Sequence, residues 1–241
     1  MKKLPSILSA VILLFLASCG NKPTETAETT VVDTTATDTA AVVPPPLPEF
    51  TPFNVMAVTH KVKDFAKFRE VYMAHDSMRL ASGLTHFRMG RGMEDSNVVF
   101  VVNRIDDVEK AKEFAASPVL KEAMKKAGVA GPPTIAFANI IRLDSSMLDI
   151  KDRVRVTHRV KDFDAWLKVY DGEGKETRAA NGIIDRSISR GIDDPNLVTI
   201  VFAISDMAKA KARMDAPELK ALMMTAGVEG APSFFFYKLV E

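Results

Sequence analysis

The chain has 241 residues, 47% hydrophobic and 26% charged, which is enough apolar material for a core and too much for a wholly disordered chain. Lysine plus arginine number 32 against 31 for aspartate plus glutamate, so a net charge of +1 gives no basis for a nucleic-acid-binding or polybasic membrane surface. A single cysteine excludes an internal disulfide and any cysteine-based metal cluster.

In chain order, the first segment is a basic Met1-Lys2-Lys3 followed by an apolar run from Leu4 to Leu16. That run is shorter than the ~20 residues needed to span a bilayer. It ends in Leu16-Ala17-Ser18-Cys19-Gly20, which resembles the lipobox of bacterial lipoproteins. The resemblance implies a signal peptide over residues 1–18 and lipid, such as palmitate, on Cys19. The protein would then be anchored to a membrane of the cell envelope without crossing it. Residues 19–52 are rich in Thr, Ala and Pro, contain the run Pro44-Pro45-Pro46-Leu47-Pro48 and lack apolar periodicity. They are expected to be a disordered, partly extended tether.

The remainder uses one unit twice. Val58-Thr59-His60-Lys61-Val62-Lys63-Asp64-Phe65 returns as Val156-Thr157-His158-Arg159-Val160-Lys161-Asp162-Phe163. Further along, Arg79, Gly83, Arg91-Gly92 and Ala127-Gly128-Val129 return as Arg178, Gly182, Arg190-Gly191 and Ala226-Gly227-Val228. The recurrence predicts two domains, 53–144 and 152–241. In each, an alternating strand puts Met56, Val58, His60 and Val62 on one face. Asp64 caps a helix with the stripe Phe65, Phe68, Tyr72, matched by Phe163, Trp166, Tyr170 after Asp162. Gly83 and Gly182 end these helices. Two strands then flank the turn at Gly92–Asp95. Asp106 or Asp107 opens a second helix, Ser117-Pro118 restarts it, and a last strand runs from Thr134 to Ile141. The order β-α-β-β-α-β is the ferredoxin-like arrangement. Phe234-Phe235-Phe236-Tyr237 and Val98–Val102 are apolar on both faces, so both faces of each sheet require cover. The expected fold class is therefore α+β: two ferredoxin-like repeats packed sheet-to-sheet as an internal pseudo-dimer, with helices outside.

The combination V-x-H-x-V-K-D-F, R-G-x-x-D-x-N and P-x-L-K-x-x-M-x-x-A-G-V-x-G, present in both repeats, resembles the dimeric α+β barrel superfamily, in particular its antibiotic-biosynthesis-monooxygenase-like and cyclase-like small proteins. The resemblance implies an intrachain dimeric barrel with pockets between sheet and helices. It does not imply one reaction.

His60 and His158 are the candidate acid/base residues; a buried histidine that merely orders the first helix is the alternative. Tyr72, Trp166, Tyr170, Arg155 and Arg159 are the candidate ligand-binding residues, the two arginines lying on the strand face opposite His158. Arg91 and Arg190 are read as turn-stabilising, and His75 and His86 as surface residues. No histidine pair has metal-ligand spacing, no Cys-x-x-Cys exists, and no glycine-rich loop suggests a nucleotide, so neither a metal nor a cofactor is expected. Three functions remain open: a lipoprotein whose barrel binds a small, partly apolar molecule; a cofactor-independent monooxygenase, isomerase or cyclase-like enzyme; or a structural module. A cavity of ~300 Å³ or more at either histidine would favour the first two.

Overall fold

Asp64, Asp107, Asp162 and Asp206 each end an extended stretch and start a helix, and they set the rhythm of the chain. A computed structural model describes residues 50–240. The expected leader, Cys19 and the tether up to residue 49 lie outside the described residues. The first half runs β1 (Phe53–Val62), α1 (Phe65–Ala74), α2 (Asp76–Ala81), β2 (Leu84–Gly92), β3 (Val98–Ile105), α3 (Val108–Ala116), α4 (Pro118–Lys126) and β4 (Val129–Leu143). The second runs β5 (Asp152–Val160), α5 (Phe163–Glu173), α6 (Lys175–Ala180), β6 (Ile183–Gly191), β7 (Leu197–Ile204), α7 (Met207–Asp215), α8 (Pro217–Thr225) and β8 (Val228–Val240).

The capping carboxylates accept from the backbone amides of Lys67 at 2.8 Å, Lys110 at 3.0 Å, Ala165 at 2.7 Å and Lys209 at 3.0 Å. Each such cap contributes about 1 kcal/mol. Gly83 and Gly182 take φ of 71° and 75° past the helix ends, as expected. Two features differ from expectation. The first helix of each half is broken, at His75 and at Gly174. His75 Nδ1 bonds the Val71 carbonyl at 2.7 Å beside the helical bond from its own amide at 3.2 Å, while Gly174 adopts φ of 81°. Strand β4 also begins at Val129 rather than Thr134. A register shift between Thr59 and Lys61 on β1 carries the pairing past Pro132 and Pro133, which have no N–H to give.

The eight strands close into one antiparallel barrel in the order β1-β3-β2-β8-β5-β7-β6-β4. Each half contributes four adjacent strands. The halves meet at two seams, β2 with β8 (Arg91 opposite Lys238) and β4 with β6 (Asn139 opposite Arg190). Strand alternation sends one set of side chains inward, where Val55, Phe100, Val102, Ile140 and Tyr237 are buried together. The other set faces the helices: Met56, Val58 and Leu84 pack with Phe114, Val62 and Val99 with Phe68, and Val154 and Val198 with Trp166. This explains strands that are apolar on both faces.

Gly90 reports on the first seam, because a Cβ there would sit 2.3 Å from Cδ2 of Tyr237 on β8. Gly90→Ala is expected to cost about 1–3 kcal/mol in urea unfolding, as overpacking does. In a Tyr237→Ala background most of that cost should vanish; an unchanged cost would show that β2 and β8 do not meet there.

Candidate functional site

Alternation along β1 and β5 fixes the site. Met56, Val58 and His60 face one helical layer, and Val154, Val156 and His158 face the other. His60 packs edge-on to Phe68 of α1 with centroids 4.7 Å apart, and His158 lies 5.6 Å from Trp166 of α5. The stripe continues upward, Phe68 stacking on Tyr72 at 5.9 Å and Trp166 on Tyr170 at 5.2 Å. A partly open, mostly apolar cleft of about 70 Å³ lies over His60, Phe68 and Tyr72, and one of about 90 Å³ over His158, Trp166 and Tyr170. Both fall short of the ~300 Å³ typical of a ligand pocket. Each has room for a few waters or a small molecule.

His60 and His158 are 8% and 6% exposed, and none of their four ring nitrogens has a hydrogen-bond partner. Burial lowers both rings to about 4, so both are neutral at pH 7. A neutral imidazole donates through one nitrogen and accepts through the other, so each cleft has one donor and one acceptor to offer.

The upper walls of the clefts differ. Tyr72 donates to Asn103 Oδ1 at 2.8 Å and lies 2.9 Å from His86 Nδ1; with its only proton spent on Asn103, it accepts from that nitrogen. Burial pushes Tyr72 up to about 12. The hydroxyl of Tyr170 is buried without a partner, and burial raises its pKa, with the Asp185 charge adding to the rise. Above each tyrosine sits an arginine from the following short helix. Arg79 lies 3.7 Å over the Tyr72 ring and donates to its carbonyl at 2.5 Å; Arg178 lies 3.9 Å over Tyr170 and donates to its carbonyl at 2.8 Å. Arg178 also grips Asp185 through two bonds of 2.8 and 2.7 Å, and Glu173 beside it accepts from Arg213 at 2.6 Å. The second cleft therefore carries an ion-pair network on its wall. At the first, the corresponding pair is Arg79 with Asp76 at 2.9 Å.

The structure thus brings His60 to Tyr72, and His158 to Trp166 and Tyr170. Arg155 and Arg159 join neither cleft. Arg155 points into the barrel over Phe100, and exposed Arg159 pairs with Asp194 at 2.6 Å. Arg91 and Arg190 donate to the Ser96 and Pro195 carbonyls at 2.8 and 2.7 Å, so they stabilise turns as expected. The surface reading holds for His86 and needs correction for His75. His75 is half-buried on the wall of the first cleft, and His86, though exposed, holds the Tyr72 hydroxyl. The chain path brings both beside Tyr72, which their lack of counterparts in the second repeat did not suggest. Arg79 and Arg178 were the overlooked pair, signalled by their recurrence in both repeats. Asn103 and Asp185 carried no signal. Among the described residues no three His, Cys, Asp or Glu gather into a metal-binding group, and no helix is long and apolar enough to cross a membrane.

No family model matches the sequence, and no curated protein is significantly similar to it. Solved structures do share the architecture. A monooxygenase-like protein from Fusobacterium nucleatum superposes with a TM-score of 0.52 at 10% identity, over 79% of this chain and 93% of its own. An anthrone oxidase-like protein gives 0.52 at 14% identity, over 78% and 92%. A second monooxygenase-like protein, from Lactobacillus acidophilus, gives 0.50 at 12% identity, over 78% and 94%. At these identities the likeness is one of α+β fold.

Because both rings titrate lower when folded than the ordinary 6.5, the unfolded chain binds more protons between pH 6.5 and 4. Stability is therefore full above 6.5 and is lost as pH falls towards 4. Melting temperatures recorded across this window should fall steeply for the native chain. A His60→Phe/His158→Phe double variant should fall measurably less; parallel curves would show that the rings are protonated or solvated.

Proposed function

We propose that the protein binds a small, mostly apolar molecule bearing one hydrogen-bonding group, seated over His60 or His158 in the outer clefts. The observation that carries this is the pair of buried imidazoles with unpaired nitrogens, at the same strand position in both repeats, each on the wall of an apolar cleft. Leaving such a group unpaired costs about 1–3 kcal/mol, a cost that a ligand hydroxyl or amide would offset. Tyr72, Trp166 and Tyr170 form the aromatic wall against the ligand. In this reading the two ferredoxin-like repeats take the place of the two subunits of a dimeric α+β barrel. The recurrence of the motifs and the two inter-half seams support it.

A second reading is catalytic. The monooxygenase-like and oxidase-like fold neighbours favour it, and His60 or His158 would then accept a substrate proton. A ring held at about 4 is in the right form to accept but is a weak base at neutral pH, which places binding ahead of turnover.

Phenol, an apolar ring with one hydroxyl, is the simplest probe. Titrated into the full chain, it should raise the melting temperature. His60→Phe and His158→Phe should each abolish part of the rise without lowering the stability of the free protein. A rise that survives both substitutions would refute the reading, and stabilised variants with no response in the parent would favour the structural module.

The anchoring reading places the barrel on an extracytoplasmic membrane face through lipidated Cys19. Cys19→Ser should move the protein from the membrane to the soluble fraction and stop palmitate incorporation. Unchanged partitioning would reject the anchor.

A further inference from the structure

The inner face of the barrel differs from the outer one in charge. Arg153 and Arg155 alternate along β5 with the helix-facing Val154 and Val156, so they point inward, opposite Tyr237 and Phe235 of β8. Arg153 is 5% exposed; it donates to the carbonyls of Ile150 and, at 3.0 Å, Asp152. Half-buried Arg155 sits 4.4 Å over the Phe100 ring and 5.1 Å from that of Phe235, with only Thr59 Oγ1 as a polar contact, at 3.4 Å. Across the first seam, exposed Arg88 stands opposite inward-facing Val102 and donates to the Phe87 carbonyl at 2.7 Å.

Among the described residues no carboxylate lies within 4 Å of Arg88, Arg153 or Arg155, although six other arginines of the molecule are so paired. The nearby acid, Asp152, is taken by Lys238 at 3.4 Å. Arg186 adds further positive charge and has Asp144 at 3.5 Å for itself. All three unpaired guanidiniums act on the phenol of Tyr237, which is 3% exposed. Charges taken out of water without a counter-charge are costly, and guanidinium forks match carboxylate and phosphate oxygens. Phenyl faces beside the fork suit an apolar body attached to such an anion.

We propose that the barrel mouth formed by Arg88, Arg153, Arg155 and Tyr237 is a binding site for a small organic oxyanion, a carboxylate or phosphate carried on an apolar group. The site is separate from the histidine clefts, since successive residues of β5 point to opposite faces. Arg88 is its solvent-exposed member, and the rings of Phe100, Phe235 and Tyr237 pack against one another beside Arg155.

The test is a thermal-shift titration of the full chain with inorganic phosphate and with benzoate, each against chloride at equal ionic strength. At ten times Kd, the melting temperature should rise by about 3–6 °C. The rise should be lost in Arg155→Gln or in Arg88→Gln, the latter at an exposed position that leaves the fold intact. It should persist in the His60→Phe/His158→Phe double variant, which separates this site from the proposed clefts. A response to phosphate alone would identify a phosphate head, and one to benzoate alone an aromatic carboxylate; either supports the proposal. No rise in the parent chain would overturn it, and so would a rise kept by both arginine variants. A rise abolished by the histidine substitutions would overturn it by assigning the anion to the clefts.

Discussion

Strands that are apolar on both faces cannot leave either face to water, and that constraint governs this protein. Four such strands with helices on one side bury half of what they carry. The inner set, Val55, Phe100, Val102, Ile140 and Tyr237, is covered only when the other four strands close over it. Each fully buried side chain of this size contributes about 1.5–3 kcal/mol, so the inner layer is a principal source of cohesion between the halves. Closure also satisfies the strand edges, because β2 and β4 pair with β8 and β6 rather than with solvent.

Closure positions the chemistry as well. With the barrel rigid, the alternation of β1 and β5 holds His60 and His158 against the aromatic stripes of α1 and α5, and holds Arg153 and Arg155 on the far side of the same sheet. The two faces then differ in chemistry: mostly apolar clefts outside, cationic and aromatic groups inside. The two halves also differ in detail. Tyr72 has partners in Asn103 and His86, whereas the Tyr170 hydroxyl has none and sits beside the Arg178–Asp185–Glu173 network. The two clefts therefore share a histidine floor and differ in their walls.

Much of this was readable in the sequence because it is local. The period-two pattern through His60, the capping aspartates and the positive-φ glycines depend on neighbours a few residues away. What escaped depends on contacts distant along the chain or on single side-chain contacts. At the break, the Val71 carbonyl is shared between the His75 amide and the His75 ring, a side-chain contact that residue type alone does not announce. The early start of β4 comes from a register shift on β1 that accommodates two prolines. Asn103 acts only because β3 carries it to Tyr72, 31 residues away, and Asp185 because the turn after α6 folds β6 back onto Arg178. The cleft volumes, smaller than a ligand pocket should be, depend on how far the helices settle onto the sheet, which no pattern of residue types records.

The claim on which the account rests is that two halves of one chain close a single barrel through the β2–β8 and β4–β6 seams. Cross-strand amide contacts measured by NMR, with hydrogen exchange at the same residues, test it directly. The account predicts contacts between Arg91 and Lys238 and between Asn139 and Arg190, with slow exchange at these seams. Fast exchange along β2 and β4, with no contacts across either seam, would contradict it.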